Sequence, residues 1–141
     1  MSFYSDLVAA LPAATNTALG ITTANVYVDE TARKATADEE AWWFPDSDEQ
    51  KRVNLGSSIV GHTFALLITK ADGTRADMEA HLETLRQAWD GTNPMSAVSG
   101  LLSVTVGTGL VQGQSDSMGN VGPDIGLTIE VTFYAALDQA A

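Results

Sequence analysis

The sequence predicts a single small α+β domain, in which helices pack on one face of a mainly antiparallel sheet and extended loops are added. Three observations predict this class. A strand, helix, strand, strand order can be read over residues 58–136, and apolar and polar residues alternate in its last two strands. The chain has 141 residues, of which 45% are hydrophobic, and this suffices for one core. We therefore expect one domain over residues 1–141.

A short helix over residues 2–11 is predicted to open the chain. Phe3, Leu7 and Leu11 form an apolar stripe at helical spacing. Pro12 follows, and proline opposes continuation because it lacks an N–H group and clashes with the preceding turn. The helix is therefore expected to end near residue 11.

Residues 25–28 favour a first strand, and the interval 29–56 after it reads as an acidic insertion. Trp42, Trp43 and Phe44 lie in the middle of this charged interval. Three adjacent large aromatic residues are costly to leave in water. They either fold back onto the domain or contact another chain, and we take all three as candidate interface residues.

Residues 58–69 contain a more continuous apolar run, which is typical of a strand in the middle of a sheet with a helix on one face. A helix ending at residue 89 follows. Thr74 and Asp77 have the spacing of a capping box at its start, and Gly91 can adopt the positive φ that ends it. Its apolar positions recur at helical spacing: Met78, Leu82, Leu85 and Trp89.

Two strands with alternating polarity are predicted to close the chain as an antiparallel pair. In the first, Leu102, Val104, Val106 and Leu110 are expected on one face. In the second, residues 124–135 alternate in the same way, which indicates a half-buried strand.

The interval 112–124 between these strands is rich in glycine and predicts a flexible hairpin loop. Connections of this length are usually functional or mobile. The segment is either a mobile hairpin tip or an arm that a neighbouring subunit orders. Met118 and Val121 are its candidate contact residues.

The net charge of −11 argues against a dedicated nucleic-acid-binding protein, because neutralising phosphates requires Lys and Arg. No basic side chain follows Arg86, whereas Asp116, Asp124 and Glu130 do. One interpretation is an acidic surface that keeps the protein soluble. The other is a wall past which DNA slides without binding, and these three acids are then candidate lumen-facing residues.

No cysteine is present, which excludes disulfides, thiolate metal sites and cysteine nucleophiles. No apolar run approaches the roughly 18 residues of a membrane span, and the N-terminus lacks the features of a signal peptide. We expect a soluble protein made in the cytoplasm, without membrane contact.

Motifs that carry chemistry are weak in this sequence. The glycines of residues 107–113 imitate a dinucleotide-binding loop, but the third is misplaced and no helix follows. Oxygen ligands between residues 116 and 124 could surround a hard cation, although their spacing departs from that of an EF-hand. His62 is expected to pack at a strand start, and His81 to cover a helix flank next to Glu79 or Glu83. We predict no catalytic residue, no cofactor and no metal site.

The order of these elements resembles that of tail terminator or tail-completion proteins of long-tailed bacteriophages, a group of head-tail joining proteins. The resemblance covers most of the chain. It is carried by the opening helix 2–11, the acidic insertion with its aromatics, the strand 61–68, the helix 77–89 and the closing strand 126–134.

The resemblance implies a virion protein, assembled in the host cytoplasm, that forms a ring, usually a hexamer, on the last ring of the tail tube. Such a ring ends tube polymerisation, contacts tube and neck proteins and lets DNA pass without specific binding. Its function is structural, not enzymatic. Two alternatives stay open: another neck, head-completion or tail tube component, and a small soluble enzyme or ligand-binding domain that would need a pocket with a perturbed His62 or His81.

Overall fold

The computed structural model describes residues 3–29, 38–54, 57–115 and 121–136, and for 48–54, 57–58, 113–115 and 121–124 it describes the backbone alone. The described residues form two α-helices and five strands. In chain order these are α1 (Phe3–Leu19), a 3₁₀ turn (Thr23–Asn25), β1 (Val26–Val28), β2 (Glu39–Asn54), β3 (Ser57–Lys70), α2 (Arg75–Trp89), β4 (Leu101–Ser115) and β5 (Val121–Ala136).

The five strands form one sheet in the order β1-β2-β3-β5-β4. β1 pairs parallel to β2, and every other neighbouring pair is antiparallel. The predicted α+β class, the antiparallel pairing of the last two strands and the central place of β3 are therefore confirmed. Both helices pack on the same face of the sheet and share one apolar core with it.

Helix α1 is longer than predicted and contains Pro12 in its interior. An interior proline removes one helical hydrogen bond and costs about 3 kcal/mol. The continuation is held by tertiary packing, because the buried stripe extends past the proline to Thr15 and Leu19. Gly20, at φ +75°, then ends the helix with its N–H donating to the carbonyl of Asn16 over 2.8 Å.

Helix α2 begins and ends as its sequence predicts. The Asp77 N–H donates to Thr74 Oγ1 over 3.2 Å, and the Thr74 N–H donates to Asp77 Oδ2 over 2.9 Å, which is a complete capping box. Gly91 follows at φ +74°. The predicted apolar stripe is buried, and Trp89 at its end packs into the core.

The core contains a set of aromatic rings on the helix-covered face. Trp43 lies at its centre, with its ring centroid 5.8 Å from those of Trp89 and Phe133 and 6.0 Å from that of Phe64. Its Nε1 donates to Thr15 Oγ1 over 3.0 Å, and the Thr15 hydroxyl donates to the carbonyl of Leu11 over 2.7 Å. This chain of bonds ties β2 to α1.

The interval predicted as an acidic insertion contains a strand of the sheet. β2 pairs with β3 from Glu39 to Asn54, and with β1 over Ala41–Trp43. The density of acidic residues suggested a solvated loop. Pairing on both sides and burial of the tryptophans outweigh the low strand propensity of Asp and Glu. Residues 30–37 and 55–56 of this interval lie outside the described residues.

The connection between the last two strands is shorter than the predicted interval 112–124. β4 continues through Ser115, and β5 begins at Val121, with these two residues paired. Residues 116–120 lie outside the described residues. The flexibility of the interval stays a prediction.

Two bulges in β4 change which of its leucines face the core. One lies between Leu101 and Ser103, the other between Val106 and Gly109. Each adds one residue to β4 and reverses the alternation of faces. Leu102 and Leu110, which were expected to share the core face with Val104 and Val106, are therefore 48% and 55% exposed.

Candidate functional site

The face of the sheet opposite the helices, which we call the open face, holds a concavity. It is a shallow trough of about 580 Å³. Its lining combines hydroxyl groups, one phenol, one carboxylate and one aliphatic side chain, from Ile59, Thr63, Thr105, Glu130, Thr132 and Tyr134.

Cross-strand pairing builds the trough. Thr63 and Thr132 are partners on β3 and β5, and their hydroxyl oxygens are 2.9 Å apart, within hydrogen-bond distance. Gly61 opposes Tyr134, and a Cβ on Gly61 would lie 3.2 Å from the tyrosine ring. The ring therefore rests close to the glycine backbone. The pair of hydroxyls therefore links β3 to β5 across the floor of the trough.

The adjacent aromatic residues of β2 divide between the two faces. Trp43 is fully buried in the core, and Trp42 on the open face is 2% exposed, its ring 5.4 Å from that of Tyr27. The sequence left two alternatives for these aromatics, packing onto the domain or contact with another chain. In the structure both tryptophans are packed within the subunit. Phe44 is half-buried and has exposed surface. A role for these three residues in contact with another chain stays a proposal, and Phe44 is the best placed of them.

Two buried polar atoms near Trp42 lack a hydrogen-bond partner within the described part of the chain: Trp42 Nε1 and Thr69 Oγ1. Thr69 opposes the buried Glu40 across β2 and β3. An unsatisfied buried donor costs about 1–3 kcal/mol. Within the described residues, the hydrogen-bonding capacity of these two atoms is therefore unused at this end of the open face.

The two histidines lie in different environments. His81 on α2 contacts Glu39 on β2, with 2.8 Å between Nε2 and Oε2. His62 on β3 packs against rings of α1, 5.5 Å from Phe3 and 5.7 Å from Tyr4. His62 thus packs as its sequence position predicts, whereas His81 pairs with a strand carboxylate and not with an acid on its own helix.

The pKa of the Asp77 carboxyl is held below its usual value. The main cause is the N–H of Thr74, which donates to it at the start of α2. The positive charge of Lys70, whose Nζ is 3.7 Å away, acts in the same direction. This shift belongs to the helix cap and marks no reactive site.

The candidate lumen acids and loop contacts fall in different parts of the structure. Glu130 is exposed on the open face and lines the trough. Asp116 and Met118 lie outside the described residues. Val121 and Asp124 belong to β5, where only their backbone is described. Glu130 therefore lies at the trough. That the other candidate acids and contact residues lie together stays a prediction.

Sequence reasoning missed the residues that build the open face and the edge of the sheet. In the sequence, the alternating strands show only ordinary polar positions at Thr63, Thr132 and Tyr134. Leu102 and Leu110 read as core, because bulges leave little trace in a sequence. The glycines at 107 and 109 were the available signal, since glycine inside a strand often marks a bulge.

Among the described residues, no group of three or more His, Asp or Glu side chains could hold a metal ion. The same residues include no helix that is long and apolar enough to span a membrane.

Comparison with known proteins identifies the fold. No protein-family profile and no curated protein matches the sequence. A chain in a solved structure, the virion of a native gene transfer agent (GTA) particle, superposes with a TM-score of 0.51 at 17% identity, covering 96% of this chain and 90% of that chain. The two chains share one fold. The similarity extends over almost the full length of both.

Proposed function

We propose that this chain is a structural virion protein that forms a ring, a hexamer as in tail terminators, on the last ring of a phage tail tube. The ring ends tube polymerisation and joins the tail to the head. The observation that carries this proposal is the nearly full-length fold similarity to a chain of a gene transfer agent virion. Element order in the sequence, compared with tail terminator proteins, supports the same class of protein.

The chemistry of the described residues agrees with a structural role. The concave part of the open face holds threonine hydroxyls that bond to each other, one phenol and the exposed carboxylate of Glu130. The histidines are engaged, one with Glu39 and the other with the rings of α1. A subunit of a ring needs surfaces for neighbours, and it needs no reactive group.

The charge distribution supports a passage for DNA. A lumen that passes DNA without holding it is acidic or neutral, because basic residues would bind phosphates. No Lys or Arg follows Arg86, so β4 and β5 carry no cation. Glu130 on β5 is exposed on the open face. We therefore propose that the open face, with Glu130, is turned toward the lumen, and that Asp116 and Asp124 add to its charge.

The test is to locate the chain in intact particles from its source. Electron microscopy with a specific antibody gives the position, and quantitative mass spectrometry gives the copy number. About six copies at the head-proximal end of the tail would support the proposal. A position inside the neck would favour a head-completion protein. Absence from any particle would refute a virion role and return attention to the trough as a ligand site.

A further inference from the structure

Strand β4 is the outermost strand on one side of the sheet, and its outer edge is covered along only part of its length. The end of α2 and the segment after it bond to this edge between residues 104 and 107. The bonds run from Gly91 N–H to Val104 O (2.7 Å), from Val104 N–H to Thr92 O (2.9 Å), from Val106 N–H to Asp90 Oδ1 (2.8 Å) and from Arg86 Nη2 to Gly107 O (3.0 Å). Beyond Gly107, the described residues show no such bond.

The uncovered stretch, residues 108–112, lacks the charged residues and prolines that protect many edge strands. Natural edges are usually blocked by lysine, other charges or proline, because unpaired N–H and C=O groups accept any strand. β4 has 15 residues and not one charge, and Leu110 exposes 55% of its surface. By contrast β2, where it runs past β1, contains Pro45 and several charges. The composition of this stretch of β4 is therefore that of an edge on which another strand can pair.

The partner must be able to approach a chain whose net charge is −11. Two copies of such a chain repel each other except along surfaces without charge. β4 is one such surface. β1, the outermost described strand on the opposite side of the sheet, has the sequence Val-Tyr-Val and is another. A second copy of this chain can therefore meet β4 with its own β1 edge.

The register of the sheet places these two edges at the same height. Residues paired across neighbouring strands lie level with one another. One such row crosses the whole sheet and runs Tyr27, Trp42, Leu67, Thr128 and Leu110. Tyr27 and Leu110 thus lie level on the two opposite edges. Because β1 is parallel to β2 and the three later pairings are antiparallel, β1 and β4 run in opposite directions.

We propose that neighbouring copies join edge to edge, with residues 109–111 of β4 adding antiparallel to β1 of the next copy and Leu110 opposing the next copy's Tyr27. This inference rests on the proposed ring function. A closed ring relates neighbours by rotation without translation. When the strands run along the ring axis, edges that meet must therefore lie at the same height, as these two do. Leu110 and Tyr27 also point to the same face, which makes an aliphatic-aromatic cross-strand pair.

Disulfide trapping tests this contact cleanly, because the chain has no cysteine of its own. Leu110→Cys combined with Tyr27→Cys, in the full-length chain under mild oxidation, is expected to give a covalent ladder up to the ring size on a non-reducing gel. Leu102→Cys with Tyr27→Cys is the matched control. Leu102 is similarly exposed at 48% on the same strand but lies toward its covered end, so this pair is expected to stay monomeric.

A charge on the edge gives a second measurement that does not depend on Tyr27. Leu110→Glu is expected to raise the concentration at which rings form by about tenfold or more, because a buried charge opposes strand addition. Leu102→Glu is expected to leave that concentration unchanged. Both sites are exposed, so both variants are expected to fold, and circular dichroism checks this.

The remaining outcomes distinguish failure of the proposed edge contact from failure of the proposed ring. Rings seen by native mass spectrometry without a ladder, or equal assembly of the two glutamate variants, would refute the edge contact and leave the ring intact. A covalent dimer from Leu110→Cys alone would show β4 paired with β4 and overturn the head-to-tail arrangement. Failure of the unchanged chain to form rings at any concentration would refute both proposals.

Discussion

The two faces of the sheet differ in composition and in what they contribute. The helix-covered face is closed by Leu, Met and aromatic side chains around Trp43. The open face carries threonine hydroxyls, Tyr134 and Glu130, and much of it stays in contact with water. Burial of apolar area stabilises the fold by about 25 cal/mol per Å². Stability therefore comes mainly from one face, and the other is available for contacts.

The largest expected effect comes from removing the central ring of the covered face. Trp43→Ala should destabilise the subunit by about 3–5 kcal/mol, because it leaves a cavity among Trp89, Phe64 and Phe133. Chemical denaturation measures the change. Trp43→Phe, which keeps a ring, is the milder control. A loss below about 1 kcal/mol for Trp43→Ala would mean that the covered face does not dominate stability.

A smaller effect is expected from the polar contact inside the same face. Thr15→Val keeps the shape of the side chain but removes the acceptor of the Trp43 Nε1–H, which is then buried without a partner. The expected loss is about 1–3 kcal/mol. Thr17→Val is the matched control, since Thr17 bonds to Ala13 O on the exposed side of the same helix. Equal losses for the two variants would assign the effect to helix propensity alone.

The capping box tests how far the covered face depends on the start of α2. Thr74→Ala should cost about 1 kcal/mol, because it removes the acceptor of the Asp77 N–H. Thr84→Ala, on the exposed side of α2, should cost nothing and serves as control. Urea denaturation of the three proteins at neutral pH makes the comparison.

The same cap predicts a pH dependence. The pKa of Asp77 is lowered in the folded state, so its contribution is fully present above its unfolded pKa and is lost as the pH falls through the folded value. Stability should therefore decline on acidification below about pH 4. Asp77→Asn should weaken this part of the dependence, which melting curves at several pH values would reveal. An unchanged profile would contradict the assignment.

The smallest effect is expected on the open face. Glu130→Gln changes an exposed side chain and should alter the free energy of unfolding by less than about 0.5 kcal/mol. Denaturation of the isolated subunit checks this. A loss above about 1 kcal/mol would show that the open face also carries folding energy and would remove the contrast between the faces.

The sequence predicted the elements whose signals are local. The capping box at Thr74, the end of α2 at Gly91 and the alternating strand β5 each depend on residues close in the chain, and each is present in the structure. The extent of α1 was missed because the contacts that carry it past Pro12 come from Trp43 on β2. Tertiary packing of this kind leaves no pattern in the helix itself.

The candidate site was less predictable for the same reason. Adjacent tryptophans in an acidic interval left two alternatives open, packing onto the domain or contact with another chain, and pairing of β2 on both sides buries Trp42 and Trp43. The exposed leucines of β4 could not be found by alternation, because each bulge changes the parity of the strand. Which residues share a face is fixed by register, and register is set by partners distant in sequence.

The bulge between Val106 and Gly109 decides which face Leu110 occupies, because residues 107 and 108 together oppose the single residue Glu130. In an unbulged strand of the same length, Leu110 would lie on the same face as Val106. Deleting Thr108 would remove the extra residue and restore simple alternation, and it would leave Leu110 on the open face and Val111 toward the core. Loss of one residue here should therefore leave the partner of the strand unchanged, whereas loss of two would reverse the faces of the residues that follow.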